Sequence, residues 1–306
     1  MNTSLFGKTA PSPITGKASQ VADEFSISFI VQRYEREIGI DVSHYFGDET
    51  VLPLYACPDT GLRFFSPAAL AGDGAFYTSL EDRSGYYDDW KWDYKTAWPF
   101  INDNSFVLDI GCGRGAFLSK LSTEKNCMVQ GLELNPSAFE FLQQKGIPAQ
   151  LQTIEEHALT NKAKYDVVCF FQVLEHISSV RSFLDAAIEC LKPGGLLIAA
   201  VPNNEPYLYG INKYDALNLP PHHMGWWNKD SLSKLPNFFP IELETVIPAR
   251  FADYNNYLKA KELHFTVAEP SKLRRFRFWR PLEKIWIQMV KKRIPGFFIE
   301  AVYRKK

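Results

Sequence analysis

"VLDIGCGRGAFL", residues 107–118, decides the fold. An apolar run from Phe106 to Ile110, broken only by Asp109, meets Gly111, Gly113 and Gly115, and helical spacing follows. A buried strand that turns on glycines into a helix is one unit of a parallel α/β sheet. The same unit recurs downstream. "MVQGLE" (128–133) is a second strand, followed by the helix "NPSAFEFLQQKG", which opens at Asn135-Pro136 and stops at Gly146. "AQLQ" (149–152) is a weak third strand, and "YDVVCFF" (165–171) a fourth whose unbroken apolarity suits burial on both faces. "VRSFLDAAIECLKPGG" (180–195) reads as a helix closed by glycine, and "LLIAAV" (196–201) as the fifth strand. "IELETVI" (241–247) and "GFFIEAVYRKK" (296–306) add two more. This alternation predicts a parallel sheet with right-handed crossovers.

Composition narrows the class. With 46% hydrophobic and 23% charged residues the 306-residue chain can bury a large core, which excludes wholesale disorder. A formal net charge of -1 gives no bulk attraction to nucleic acid or membrane. Residues 272–293 depart from that average: nine Lys/Arg face one acid, Glu283. Five cysteines, an odd number with no CxxC pair, argue for reduced thiols and a cytoplasmic setting. The N-terminal stretch has no apolar core of a signal peptide, and no apolar run approaches the roughly 20 residues of a membrane span.

The glycine turn allows a ligand to approach backbone at a helix N-terminus. Its spacing is GxGxG, not the GxGxxG of dinucleotide folds, and Asp109 stands two residues before the first glycine. A carboxylate there repels a pyrophosphate and attracts an ammonium. Glu133, twenty residues after Gly113, ends the second strand, placed to accept hydrogen bonds from ribose hydroxyls. A ligand with an ammonium, a ribose and no phosphate is met by S-adenosylmethionine.

"VLDIGCGRG", "GLELNP", "YDVVCFFQVLEHI" and "LKPGGLLIAAVPN", in this order over residues 105–203, resemble the four successive signatures of class I S-adenosylmethionine-dependent methyltransferases. The likeness lies in the type 11/12/23 group, near quinone O-methyltransferases and methyltransferases of bacterial polysaccharide clusters. It implies a Rossmann-like α/β fold: a seven-stranded, mostly parallel sheet of order 3-2-1-4-5-7-6, the last strand antiparallel, with helices on both faces. By position it implies that Asp109, Gly111 and Gly113 contact the methionine part and that Glu133 holds the ribose. Leu134 would pack on adenine, Thr153 and Ile154 would border it, and Gln172 would lie beside the sulfonium. The product would be S-adenosylhomocysteine. Cys112 reads as packing, His176 as a turn-stabilising residue, and Glu175 as its brace.

The acceptor side is carried by "LNLPPHHMGWW", residues 217–227. Pro220 and Pro221 exclude a helix or strand interior. Following the fifth strand, the stretch falls where the ligand loops of an open parallel sheet gather. Methyl transfer gains from holding reactants in line, and a neutral hydroxyl needs a base. His223 or His222 is the candidate base, with Trp226, Trp227 and Tyr87 as flat walls suited to a sugar face or an aromatic ring. No metal site is expected: adjacent residues rarely point at one ion, and no carboxylate cluster accompanies them. The expected reaction is O-methylation of a hydroxyl on a saccharide or other small molecule, in the setting of cell-surface polysaccharide biosynthesis. An N- or protein methyltransferase and a non-catalytic S-adenosylmethionine-binding protein are the alternatives; the amine-methylating Asn/Asp-Pro-Pro-Tyr motif is absent where "FQVLEH" stands.

The expected organisation is an N-terminal cap over 1–80, a methyltransferase core over 81–250, a helical basic insertion or lid over 251–295, and a final core strand over 296–306. In the cap, "SPITGK" and "CPDTGL" share a Pro-x-Thr-Gly turn like the paired knuckles of a zinc ribbon, but with only Cys57 of four ligands. In the insertion, Leu282, Ile285, Trp286, Met289 and Val290 form an apolar stripe beside Lys284, Lys291 and Lys292. Three readings compete: a packed lid, contact with a phosphate-bearing acceptor or the inner membrane face through 272–293, and nucleic acid. The acidic remainder and the lack of an RNA-binding module argue against the last.

Overall fold

Alternation of apolar and polar residues, turned by glycine, builds the first sheet. The computed structural model describes residues 5–81, 90–205, 213–251, 254–267, 269–290 and 295–306. Strands β1 (Thr9–Pro11), β2 (Ala18–Ser26), β3 (Val51–Ala56) and β4 (Arg63–Phe64) pair antiparallel in chain order. Helix α1 (Ile27–Ile38) crosses between β2 and β3, capped by Ser26 and ended by Gly39 at φ 69°, and buries Ile27, Ile30, Tyr34 and Ile38. The two knuckle turns face each other. Gly16 N donates to Ser12 O and Gly61 N to Cys57 O, and the Ser12 hydroxyl donates to Cys57 Sγ at 3.1 Å. Hydroxyls thus stand where a zinc ribbon has thiolates. Short helices α2 (Gly74–Glu81) and α3 (Trp92–Ala97) follow.

The second sheet holds β5 (Phe106–Ile110), β6 (Met128–Leu132), β7 (Ala149–Gln150), β8 (Tyr165–Phe171), β9 (Leu191–Pro202), β11 (Ile241–Arg250) and β12 (Pro295–Lys305). Its order, β7-β6-β5-β8-β9-β12-β11, is the expected 3-2-1-4-5-7-6, and β12 runs antiparallel to both neighbours. Helices α4 (Ala116–Lys125), α5 (Pro136–Gln144), α6 (Ile154–Ala158) and α7 (Val180–Cys190) connect the parallel strands. The helix α7 stops at Cys190 rather than at the glycines, because Pro193 disfavours helix in the residue before it. The central strands are buried on both faces: Leu108, Val168, Phe170 and Ala200 have no exposed surface, each large side chain contributing roughly 1.5–3 kcal/mol.

The first sheet takes its fifth strand from far along the chain. Gly225–Trp226, β10 in chain order, pairs with β4, so the histidine-tryptophan stretch is shared between the two sheets. Trp226 at the end of that strand and Trp227 just after it point to opposite cores. Trp226 packs edge-to-face with Phe25 and Phe65 at 5.7 and 5.6 Å, and Trp227 joins the core of the large sheet. After the short α8 (Lys229–Ser233) and β11, helices α9 (Tyr254–Val267) and α10 (Pro270–Val290) fill the insertion before β12.

The apolar stripe on α10 faces away from the protein. Phe278, Leu282, Ile285 and Met289 are 54–75% exposed and lie at helical spacing on one face. The opposite face docks on α9 through buried Phe276 and through Arg277–Glu262 and Lys261–Glu283 ion pairs. Leu282, Ile285 and Met289 therefore do not pack the insertion against the protein; it docks by its other face. The side chains of Lys284, Trp286 and Val290, and all of Lys291 and Lys292, lie outside the described residues. Among the described residues no helix is long and apolar enough to cross a membrane.

Candidate active site

The turn after β5 is shaped by what a side chain would strike. Gly111 holds φ 72°, and a Cβ there would stand 2.6 Å from Val173 Cγ2 in the turn after β8. Gly115, at φ 73°, would strike Leu142 and Ile147, so α4 can start close against α5 only without a side chain. Gly113 N donates to Glu133 Oε2 at 2.8 Å, and Leu134 N and Asn135 N donate to Glu133 Oε1 at 2.8 and 2.9 Å. Glu133 thereby joins the glycine turn to the end of β6 and is held in one orientation.

These turns open into one cavity of about 1740 Å³. Gly111, Gly113, Glu133, Leu134, Thr153, Ile154 and Gln172 line it, so seven of the expected cofactor positions share a single wall. Leu134 is 64% exposed there, an apolar face for a flat base. Thr153 has a second role: its hydroxyl accepts from Glu156 N while the Glu156 carboxylate accepts from Thr153 N, a capping box that starts α6. Asp109 lies beneath the wall, 1% exposed, with Oδ1 lacking a partner. Burial, with the nearby Glu133 charge, pushes its carboxyl up to about 8. A buried carboxyl with one oxygen unpartnered, beside a glycine cradle and a fixed acid, suits the ammonium and ribose of S-adenosylmethionine.

Gln172, the residue after β8, lies in the left-handed region, φ 58°, an uncommon conformation for a residue with a side chain. Its Nε2 donates to Asp93 Oδ2 at 3.3 Å. Asp93, on α3, is buried with Oδ1 unpartnered, and burial raises it to about 6. Nothing in the local sequence "WKWDYK" marked it, since an acid on a short amphipathic helix ordinarily faces water.

The acceptor end is built by two turns locked together. Met224 N donates to Glu175 O at 2.7 Å, drawing residues 217–224 over the turn after β8. His222 and His223 therefore line the cavity, as expected, and His176 joins them. Ring centroids lie 4.6 Å apart for 176–222 and 222–223, and 4.9 Å for 176–223. Burial holds the imidazoles neutral, lowering His176 to about 4 and His222 to about 3, with His223 lowered as well. The premise that two adjacent histidines lack a third ligand omitted His176, whose distance from them in sequence hides the contact. The tryptophan walls are corrected: neither Trp226 nor Trp227 lines the cavity, being 1% and 0% exposed in two separate cores. Tyr87 lies outside the described residues; Tyr77, on α2, lines the cavity instead, its ring 5.7 Å from that of His176.

The methyltransferase-domain family matches residues 82–241. A ubiquinone biosynthesis O-methyltransferase of Azoarcus sp. (strain BH72) is 33% identical over 113 residues, 34% of this chain and 48% of its own. That of Cronobacter sakazakii is 38% identical over 95 residues, 29% of this chain and 39% of its own. The matches thus span half or less of these relatives. Among solved structures, a SAM-dependent methyltransferase from Archaeoglobus fulgidus is 19% identical with a TM-score of 0.47, covering 69% of this chain and 90% of its own. More than half of the 306 residues lie within the family match, and the chain belongs to the class I S-adenosylmethionine-dependent methyltransferases.

Proposed function

We propose that the protein transfers a methyl group to a hydroxyl oxygen of a small molecule. When bound, S-adenosylmethionine supplies a methyl group on a sulfonium. The observation that carries the hydroxyl reading is the group of three neutral imidazoles lining the same cavity as Gln172 and the glycine turn. The neutral imidazoles offer lone pairs toward a hydroxyl, while burial, which lowers all three, leaves them weaker bases than an ordinary histidine; the O-methyltransferase names of the relatives agree with hydroxyl chemistry. The cavity exceeds the roughly 300–1,000 Å³ of a single-ligand site, leaving room for two reactants. Arg33 lines it from α1, its Nη1 paired with Glu37 of the same helix and its Nε buried without a partner, a donor left for an oxygen of the acceptor such as that of a phosphate. A sugar carrying phosphate, in surface polysaccharide synthesis, meets both demands; a phenolic ring meets the first.

Incubation with methyl-labelled S-adenosylmethionine and a panel of sugar nucleotides, glycosides, catechols and amines tests this. Label on oxygen, with sugar nucleotides ahead of neutral glycosides, is the expected result. Label on amines alone would make the enzyme an N-methyltransferase. Tight S-adenosylhomocysteine binding with no turnover on any member would favour the regulatory reading.

The outward stripe of α10 supports a second proposal, peripheral contact with an anionic membrane. Arg274 and Arg275 are exposed at its flanks, and each basic side chain near such a surface contributes about 1 kcal/mol. Co-sedimentation with phosphatidylglycerol vesicles should weaken as salt rises and fall about tenfold or more in Arg274→Gln/Arg275→Gln. A chain that stays in the supernatant with anionic and neutral vesicles alike has a stripe serving something else.

A further inference from the structure

We propose that His176, His222 and His223 bind one divalent transition-metal ion, zinc by ligand chemistry, which takes the acceptor hydroxyl as its fourth ligand. One ring nitrogen from each histidine lies within 4.8 Å of the other two, the single such group among the described residues. The tautomers are set by what each Nδ1 meets. His176 Nδ1 lies 2.6 Å from His222 O, and His222 Nδ1 lies 2.9 Å from Leu217 O. His223 Nδ1 lies 3.1 Å from Asn218 Oδ1, and Asn218 Nδ2 donates to Asn204 Oδ1 at 3.0 Å, which turns the amide oxygen toward the imidazole. All three partners are oxygens that only accept. Each Nδ1 therefore donates its hydrogen, which leaves the Nε2 lone pairs of His222 and His223 for another partner, while His176 has a further backbone hydrogen bond to Gln172.

Histidine ligands are commonly oriented this way, the outer nitrogen donating to a carbonyl while the inner one faces the ion. Loop bracing alone explains the three Nδ1 bonds. It leaves His222 Nε2 buried with no partner, in a residue 8% exposed. Lone pairs gathered in a buried place repel one another unless a proton or a cation lies between them. A carboxyl is also at hand: Glu175 Oε1 is 3.8 Å from His176 Nε2, and Glu175 Oε2 is buried without a partner.

Three imidazoles with a fourth position open to a cavity are the donor set of a catalytic zinc, with Zn–N of about 2.0–2.1 Å. That spacing sets the donors about 3.4 Å apart, so the rings close by roughly 1 Å on binding. The role in catalysis rests on the hydroxyl-transfer reading; the binding does not. A hydroxyl held as fourth ligand loses its proton to solvent near neutral pH. Its oxygen then bonds to the methyl carbon, the carbon–sulfur bond breaks with its electron pair going to sulfur, and the sulfonium becomes a neutral thioether. The ion keeps its oxidation state throughout.

The test uses the tag-free full-length chain, stripped with a chelator and titrated with Co²⁺ and Zn²⁺. One ion per chain is expected, with the visible absorption of tetrahedral Co²⁺ and a raised melting temperature that chelator reverses. His176→Ala, His222→Ala and His223→Ala should each weaken binding at least about 100-fold, and Asn218→Ala, which removes the oxygen that orients His223 together with the hydrogen bond to Asn204, about 10- to 100-fold. Retained S-adenosylhomocysteine binding certifies that each variant is folded. No Co²⁺ absorption from folded wild type, or binding that none of the histidine variants alters, overturns the proposal. Metal binding without methyl transfer refutes the hydroxyl reading and leaves the site standing. Methyl transfer to a hydroxyl that chelator does not slow, in a chain that binds no ion, does the reverse.

Discussion

His223→Ala will lower kcat by about 10² to 10⁴ while affinity for S-adenosylhomocysteine stays within about twofold of wild type. His223 lines the acceptor end of the cavity and hydrogen-bonds with Asn218 and Leu219 of its own loop. Whether its Nε2 takes the proton itself or helps hold an ion that acidifies the hydroxyl, its loss removes an interaction formed in the transition state. His222→Ala should follow the same pattern. A histidine that only braces the loop predicts otherwise: a lower melting temperature and a raised KM, with kcat kept at saturating acceptor. Near-wild-type kcat in both variants would leave the enzyme to work by positioning alone.

Asp109 is the other residue with a large predicted effect. Its folded-state value of about 8 lies above the ordinary 3.8, so between about pH 4 and 8 the free folded protein holds a proton that the unfolded chain lacks. Its contribution to stability therefore falls as pH rises through that window. An ammonium bound at Asp109 needs the carboxylate ionised, so binding below pH 8 releases a proton. S-adenosylhomocysteine affinity should fall by up to about tenfold per unit below pH 8. At higher pH it should fall again, as the ligand's own α-amino group, held above a peptide's by its neighbouring carboxylate, loses its proton. Asp109→Asn should remove the acid-side slope, weaken binding near pH 8 by about 10- to 100-fold through a lost charge-assisted hydrogen bond, and raise the melting temperature of the free protein at pH 7.5. Proton release is read by calorimetry in buffers of different ionisation enthalpy. A flat profile in wild type, or a variant that binds as tightly, places the ammonium elsewhere.

What was legible in the sequence was local. "VLDIGCGRG" carries its strand, turn and helix start within a few residues, and Glu133 follows at a fixed strand-end position, so the sheet and the cofactor wall could be placed. The strand Gly225–Trp226 is two residues long and has no period to detect; only its pairing with Arg63–Phe64 defines it. Its alternation was nevertheless written in the adjacent tryptophans, which on any strand point to opposite sides. Taking them as one wall missed that rule. His176 stood in a turn motif where a bracing role sufficed, and the Met224–Glu175 hydrogen bond that joins it to His222 and His223 spans 49 residues. The α10 stripe was visible as a period, but periodicity marks a face without saying what it meets. Ion pairs from Glu262 and Glu283 to neighbouring helices decide that it faces outward.

The central claim is that the glycine turn, Asp109 and Glu133 form a seat for S-adenosylmethionine. Titration of the full-length chain with S-adenosylhomocysteine at pH 8, beside Glu133→Ala and with NAD as the rival ligand, tests it most directly. The account predicts one site per chain, weakened by roughly 1–3 kcal/mol in Glu133→Ala through lost hydrogen bonds to a charged acceptor, and no competition by NAD. Tight NAD binding with no response to S-adenosylhomocysteine would contradict it.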